Sequence, residues 1–211
     1  MKNLLFLLAV CFSFTGNIQA QVFLNVSGGA NYSNYNVKNN YGVDFNPRFG
    51  YFINLDPGYQ ISEKLKLHLG IQYSERGYKS TFDTPPHNTS STETKFKYLD
   101  FLPELDYYVY SPLSIGLGFY YGIKLSEQFR SGNDPWATTT LDLSKSTDLG
   151  LSTKIQFDFE PALLFIRYTK GLVDVTEINF TDENGVPVEN AKQKSSCIQF
   201  GIGVKLFRDY N

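Results

Sequence analysis

The chain has 211 residues, with 19 Lys plus Arg against 21 Asp plus Glu and a net charge of −2. That length allows one domain with a sizeable core, and the near-neutral balance argues against a nucleic-acid partner. Charged residues reach only 19%, while Tyr (15) and Phe (18) are abundant, so aromatic surface is plentiful where charge is sparse.

Residues 1–20, MKNLLFLLAVCFSFTGNIQA, carry Lys2, an apolar run from Leu4 to Phe14 and a small residue at Ala20. This is the pattern of a secretory signal peptide cut before Gln21, leaving residues 21–211 as a single domain. Cys11 follows Val10 inside the apolar run, which argues against a lipidated cysteine. The mature chain then keeps only Cys197 and forms no internal disulfide. Beyond residue 20 no apolar run approaches the length of a spanning helix. A β-barrel spans with alternating segments of about ten residues and stays open.

The period along the chain is two. Val22, Leu24, Val26, Gly28, Ala30 and Tyr32 alternate with Phe23, Asn25, Ser27, Gly29 and Asn31. Phe49 to Leu55 alternate with Arg48 to Asp56. Leu65 to Tyr73 alternate with Lys66, His68, Gly70, Gln72, Ser74 and Arg76. Leu99 to Val109 alternate with Asp100 to Tyr108. Leu113 to Leu125 form an unbroken odd-numbered apolar row, and Leu149 to Phe159 form another. Leu164, Ile166 and Tyr168 make the least clean segment, and Ile198 to Leu206 close the set. Eight strands result. Short turns fall near Ser62–Lys64, Ser111–Pro112 and Glu160–Ala162. Longer connections fall near Asn34–Asn46, Thr81–Thr94, Glu127–Lys145 and Thr176–Lys194. The expectation is an all-β fold: an eight-stranded antiparallel up-and-down transmembrane β-barrel with short periplasmic turns and long outer loops.

The fifth segment, SIGLGFYYGIKL, holds Gly116, Gly118 and Gly122 at the spacing of a dinucleotide-binding fingerprint. That motif needs a glycine turn between a strand and a helix. Here the glycines share the parity of the polar face, and the following EQFRSGNDPWATTT is turn-like. They are therefore expected to face inward, making room for bulky neighbours. No cofactor is implied.

A soluble lipocalin-like barrel binding an apolar ligand is the alternative, with the apolar rows turned inward. The long apolar rows weigh against it, as does a supposed wet face rich in glycine and poor in lysine. Tyr32, Phe49, Tyr73, Tyr107, Phe159 and Tyr168, near strand ends, suit interfacial girdles.

An eight-stranded barrel is just wide enough to be filled by side chains. Asp100, Glu104, Asp106, Asp148 and Asp158 are expected to meet Arg48, Lys66, Arg76, Lys124, Lys154, Arg167 and Lys205 in a paired polar core, which disfavours a diffusive pore. Glu104 and Asp106 share a face and could form an acid–base pair, but basic neighbours account for them equally. His68 is expected to hydrogen-bond in the lumen, and His87 lies in an outer loop, so no metal site and no catalytic residue is assigned. TDENG (181–185) fails the calcium-loop spacing, because Phe180 stands where a ligand is needed. The Ser/Thr-rich 81–94 segment, the Trp136 loop and 176–194 are the candidate surfaces for a protein or surface ligand.

Six stretches carry a family resemblance: GIQYSERGYK (70–79), KYLDFLPELDYY (97–108), IGLGFYYGIKL (115–125), DLGLSTKIQF (148–157), IRYTKGLVDV (166–175) and FGIGVKLF (200–207). With them the mature chain resembles the Bacteroidetes-type outer-membrane β-barrel domain proteins, labelled porin-family or similar to the gliding and secretion protein PorT. Tyr73/Arg76/Gly77, Tyr98/Leu99/Pro103 and Arg167/Tyr168/Gly171/Leu172 match that family's strand signatures. The resemblance implies an outer-membrane location in a Gram-negative bacterium. The lipid bilayer, lipopolysaccharide and the outer-membrane assembly machinery become the implied partners, with no catalytic set. Such barrels commonly end on an aromatic residue; this chain ends FRDYN, where Phe207 or Tyr210 would take that role.

Overall fold

A computed structural model describes residues 21–37, 43–84, 88–138, 144–175 and 192–208. Residues 1–20, His87, residues 176–191 with TDENG, and Tyr210 lie outside the described residues. The strands are β1 (Gln21–Val37), β2 (Val43–Ser62), β3 (Leu65–Thr84), β4 (Asn88–Tyr110), β5 (Leu113–Ser131), β6 (Ala137–Thr138), β7 (Thr147–Phe159), β8 (Ala162–Gly171) and β9 (Gln193–Arg208). Eight of them run in the order β4-β3-β2-β1-β9-β8-β7-β5, and pairing of β4 with β5 closes the ring. Every pairing is antiparallel. Closure removes the open edges that an apolar-faced sheet would otherwise present. The two-residue β6 only pairs with Gln128 and Phe129 at the end of β5.

Burial follows the sequence parity. Leu117 (61% exposed), Ile202 (61%) and Phe49 (69%) face outward, whereas Arg167 (1%), Glu104 (1%) and Asp148 (0%) are enclosed. An apolar exterior around a charged interior is the inverse of a water-soluble barrel. This corrects the lipocalin-like alternative: among the described residues the enclosed face is mainly polar and charged, where an apolar ligand would need an apolar lining. The irregular β8 segment is also explained. Its strand alternates cleanly, but Leu163 and Phe165 point inward and pack with Phe52 as a small apolar patch within the polar lumen.

One rim carries the two-residue connections Glu63–Lys64, Ser111–Pro112 and Glu160–Pro161. The opposite rim differs from expectation. Residues 81–94 are not a long loop: β3 runs to Thr84 and β4 starts at Asn88, in unbroken register from Leu65↔Tyr107 to Thr84↔Asn88. Likewise Glu127–Ser131 continue β5. These extensions continue past the last outward apolar positions of the belt, Tyr73 on β3 and Leu99 on β4. Ser/Thr-rich strands form there without an apolar row, so alternation gives no signal. Gly132 then turns the chain at φ 52°, a left-handed conformation that favours glycine.

The wall is irregular at one place. Between the pairs Pro47↔Tyr78 and Phe52↔Ser74, β2 carries one residue more than β3, a bulge. Asn31 Nδ2 donates across it to the Glu75 carbonyl (3.1 Å), and Ser33 Oγ donates to the Gly77 carbonyl (3.0 Å). Side chains of β1 thereby replace ladder bonds lost by β2.

Candidate functional site

The lumen is where the fold concentrates most of its buried chemistry among the described residues, and it is layered. Nearest the short-turn rim, Lys66 and Tyr108 both bond Asp158, and Lys205 Nζ lies 3.5 Å from the same carboxylate. An opening of about 380 Å3 at this mouth is lined in part by Lys66, Tyr108, Asp158 and Lys205.

The next layer is a knot of five side chains. His68 Nδ1 is 2.7 Å from Asp56 Oδ1, and His68 Nε2 is 3.1 Å from Asp106 Oδ2. Lys154 Nζ sits 3.0 Å from Asp106, 3.3 Å from Glu104 and 3.1 Å from His68 Nε2. His68, Glu104 and Asp106 converge closely enough to hold a metal ion. The Lys154 ammonium already stands at their focus, so a metal would have to displace a buried cation whose charge these carboxylates balance. The same contacts answer the acid–base idea for Glu104 and Asp106: both are engaged by fixed cations. Sequence reasoning placed His68 correctly as a lumen hydrogen-bonder but missed Asp56 as its partner. The register Gly58↔His68 across β2 and β3 brings the two within reach, and such cross-strand proximity is invisible before pairing is known.

Arg167 holds the middle. Its Nε and Nη2 donate to the two oxygens of Glu104 at 2.9 and 2.7 Å, a bidentate pair. Its Nη1 donates to Gln199 (3.1 Å), whose amide donates onward to Asn31 (2.9 Å). Above it, Arg76 bridges Asp100 (2.5 Å) and Asp148 (3.4 Å). Its guanidinium lies 4.3 Å from the Tyr98 ring centre. Ser74 donates to Asp100, while Tyr120 and Ser195 donate to Asp148. An apolar cluster of Tyr35, Phe96, Tyr98 and Val175, with Tyr78 packed against it, closes the column. Beyond this cap Lys124 pairs with Glu127 (3.1 Å), so that expected lumen base finds its partner on its own strand.

The three glycines of SIGLGFYYGIKL face this network. A Cβ on Gly116 would strike the Asp106 carboxylate, and one on Gly118 would strike the Pro103 carbonyl. One on Gly122 would lie 2.5 Å from Asp100 Oδ1 and 3.1 Å from Arg76 Nη2. Their spacing reserves volume for charged neighbours on β3, β4 and β7.

One expected lumen base belongs elsewhere. Arg48 is buried at the bulge and pairs with Glu75 (2.8 Å) and Glu93 (2.7 Å), toward the far ends of the strands. Arg130 joins Glu93 (2.5 Å), and Trp136 lies over Arg48, Lys95 and Arg130 at 5.4, 4.0 and 4.7 Å. The Trp136 side chain is therefore partly packed on its own barrel. Burial acts to raise the Glu93 pKa, but the hydrogen bonds from Arg130 and Arg48 outweigh it and hold this carboxyl below its usual value.

The description "Outer membrane protein beta-barrel domain" matches residues 16–177, well over half of the chain. No curated protein matches it. Among solved structures, it is similar to Neisserial surface protein A at 14% identity and a TM-score of 0.52, over 87% of this chain and 97% of that one. It is also similar to the attachment invasion locus protein Ail of Yersinia pestis (14% identity, TM-score 0.44, 89% and 99%). A further likeness is to OprG of Pseudomonas aeruginosa (14%, 0.38, 89% and 95%). At such identities the first likeness is one of fold. With an apolar exterior, a closed antiparallel ring and a match spanning most of its strands, the chain belongs to the outer membrane protein β-barrel domain family.

Proposed function

We propose that this protein is a non-enzymatic, integral outer-membrane barrel that acts through its long-loop rim, as a structural element, an adhesin or a partner of a secretion system, and conducts no solute through a wide pore. Residues 1–20 serve as its export signal, and 21–211 as one domain inserted by the outer-membrane assembly machinery. Its assignment to the Bacteroidetes-type, PorT-like branch rests on the resemblance of the stretches around Arg76, Pro103 and Gly171. The observation that carries this reading is the filled lumen. Below the aromatic cap, Lys66, Arg76, Lys154, Arg167 and Lys205 interlock with Asp100, Glu104, Asp106, Asp148 and Asp158, while Asp56 is held by His68. Side chains so paired leave the long-loop rim as the surface that meets a partner.

The test uses purified protein in proteoliposomes and the same protein displayed on cells. Vesicles should not swell in small sugars. Replacing 133–138 by a Gly/Ser linker should abolish binding of displaying cells to their surface ligand while the barrel still shows a heat-modifiable band. Swelling at the rate of a general porin would replace this reading with a diffusion pore.

A further inference from the structure

The outward face of β3, β4 and β5 changes character abruptly. On β4 the outward row reads Leu99, Phe101, Pro103, Leu105 and Tyr107, and the next two outward positions toward the long-loop rim are Lys97 and Lys95. The aromatic pairs Tyr51–Tyr73 (6.1 Å) and Tyr32–Phe49 (5.0 Å) mark the same level on β1 to β3, as interfacial girdles do. Residues two apart on one face of a strand stand about 7 Å apart, so Lys97 and Lys95 fall within the headgroup layer directly above the apolar belt.

This patch holds more positive than negative charge. Among the described residues, the ion pairs of Arg48, Lys95 and Arg130 are to Glu75 and Glu93, and Lys97 stands two positions from Lys95 on the same face. Both carboxylates are committed to arginines at 2.5–2.8 Å. Lys95 Nζ is left 4.0 Å from Glu75, beyond hydrogen-bond reach, and 4.0 Å from the Trp136 ring centre. Neither Lys95 nor Lys97 makes a hydrogen bond among the described residues. Burial lowers the Lys95 pKa. Glu75 only partly opposes this, and Arg48, Lys97 and Arg130 push the same way as burial. The Lys95 ammonium thus faces one carboxylate at 4.0 Å and has no hydrogen-bonded anion.

We propose that Lys95 and Lys97, with Arg130 beside them, bind a phosphate of an anionic lipid headgroup in the outer leaflet. The inference rests on the reading that the barrel spans a bilayer with its long-loop rim outward. A phosphate set between the two lysines would supply acceptors to both ammonium groups, and Trp136 would report its arrival because the indole lies against Lys95.

The experiment titrates Trp136 fluorescence of the barrel in phosphatidylethanolamine nanodiscs with added lipid A, dephosphorylated lipid A, or inorganic phosphate. Lipid A should shift the emission and raise the temperature of the heat-induced mobility change; the dephosphorylated lipid should do neither. Lys95→Gln with Lys97→Gln should weaken the response about ten-fold or more, while the band shift in lipid A-free discs is retained. Lys97→Gln alone, which removes no partner contact within the protein, should give an intermediate loss. Equal responses in wild type and double variant, or no response in wild type, overturn the site. An equal response to inorganic phosphate overturns the lipid assignment. A protein that stays in solution without detergent and shows no heat-modifiable band rejects the spanning reading itself.

Discussion

Arg167 and Arg130 both grip a glutamate with two nitrogens, yet they inhabit different regions. Arg167 is 1% exposed inside the lumen and donates four hydrogen bonds, to Glu104, Gln72 and Gln199. The Arg130 side chain is 37% exposed above the belt, where it meets Glu93 under a tryptophan. Inside, the charges have been taken from water and persist because each meets an opposite charge. Outside, water and salt share the load, and the pair is worth little. The protein uses ion pairs in the lumen as filler and at the rim as surface.

The largest effects should therefore come from the lumen. Arg167→Met leaves Glu104 with Lys154 and the Ser152 hydroxyl but without its bidentate arginine, and should cost about 3–5 kcal/mol in urea unfolding from lipid vesicles, followed by Trp136 emission. Arg167→Met combined with Glu104→Leu should cost less than the single change, because no buried carboxylate loses its arginine. If the double variant were the less stable, the pair itself and not its completeness would be the stabilising element. Gly122→Ala comes next: its methyl intrudes on Asp100 and Arg76, and about 1–3 kcal/mol should be lost in the same assay. Ser33→Ala removes the side chain that serves both the Gly77 carbonyl and its N–H across the bulge, for about 1–2 kcal/mol.

The smallest effect belongs to the rim. Glu93→Gln should change stability by under about 1 kcal/mol while shifting Trp136 emission. The Glu93 carboxyl is held below its ordinary value of 4.5, so the folded state binds its proton less readily than the unfolded one. Its contribution is complete above that ordinary value and fades as pH falls through the lowered one. Trp136 emission should change over that acid range in wild type and stay flat in Glu93→Gln.

The same division explains what the sequence made legible. In the belt, lipid outside and a charged lumen inside force strict alternation, and Leu113–Leu125 or Leu149–Phe159 can be assigned from parity alone. Above the belt neither face must be apolar, so Thr81–Thr84 and Asn88–Thr94 read as loop although they are paired strand. The lumen charges were recognisable as a set. Their partners were not, because contacts such as Arg167–Glu104 and Lys154–Glu104 run between different strands and depend on register. Arg48 was misplaced for a local reason: the extra residue in β2 turns it toward Glu75 and Glu93, and no composition signal marks that bulge.

The central claim, a membrane barrel whose lumen is closed by paired charge, is tested most directly by current recordings of the refolded protein in planar bilayers. The account predicts no sustained open-channel conductance for wild type. A stable, long-lived conductance step in wild type would contradict it.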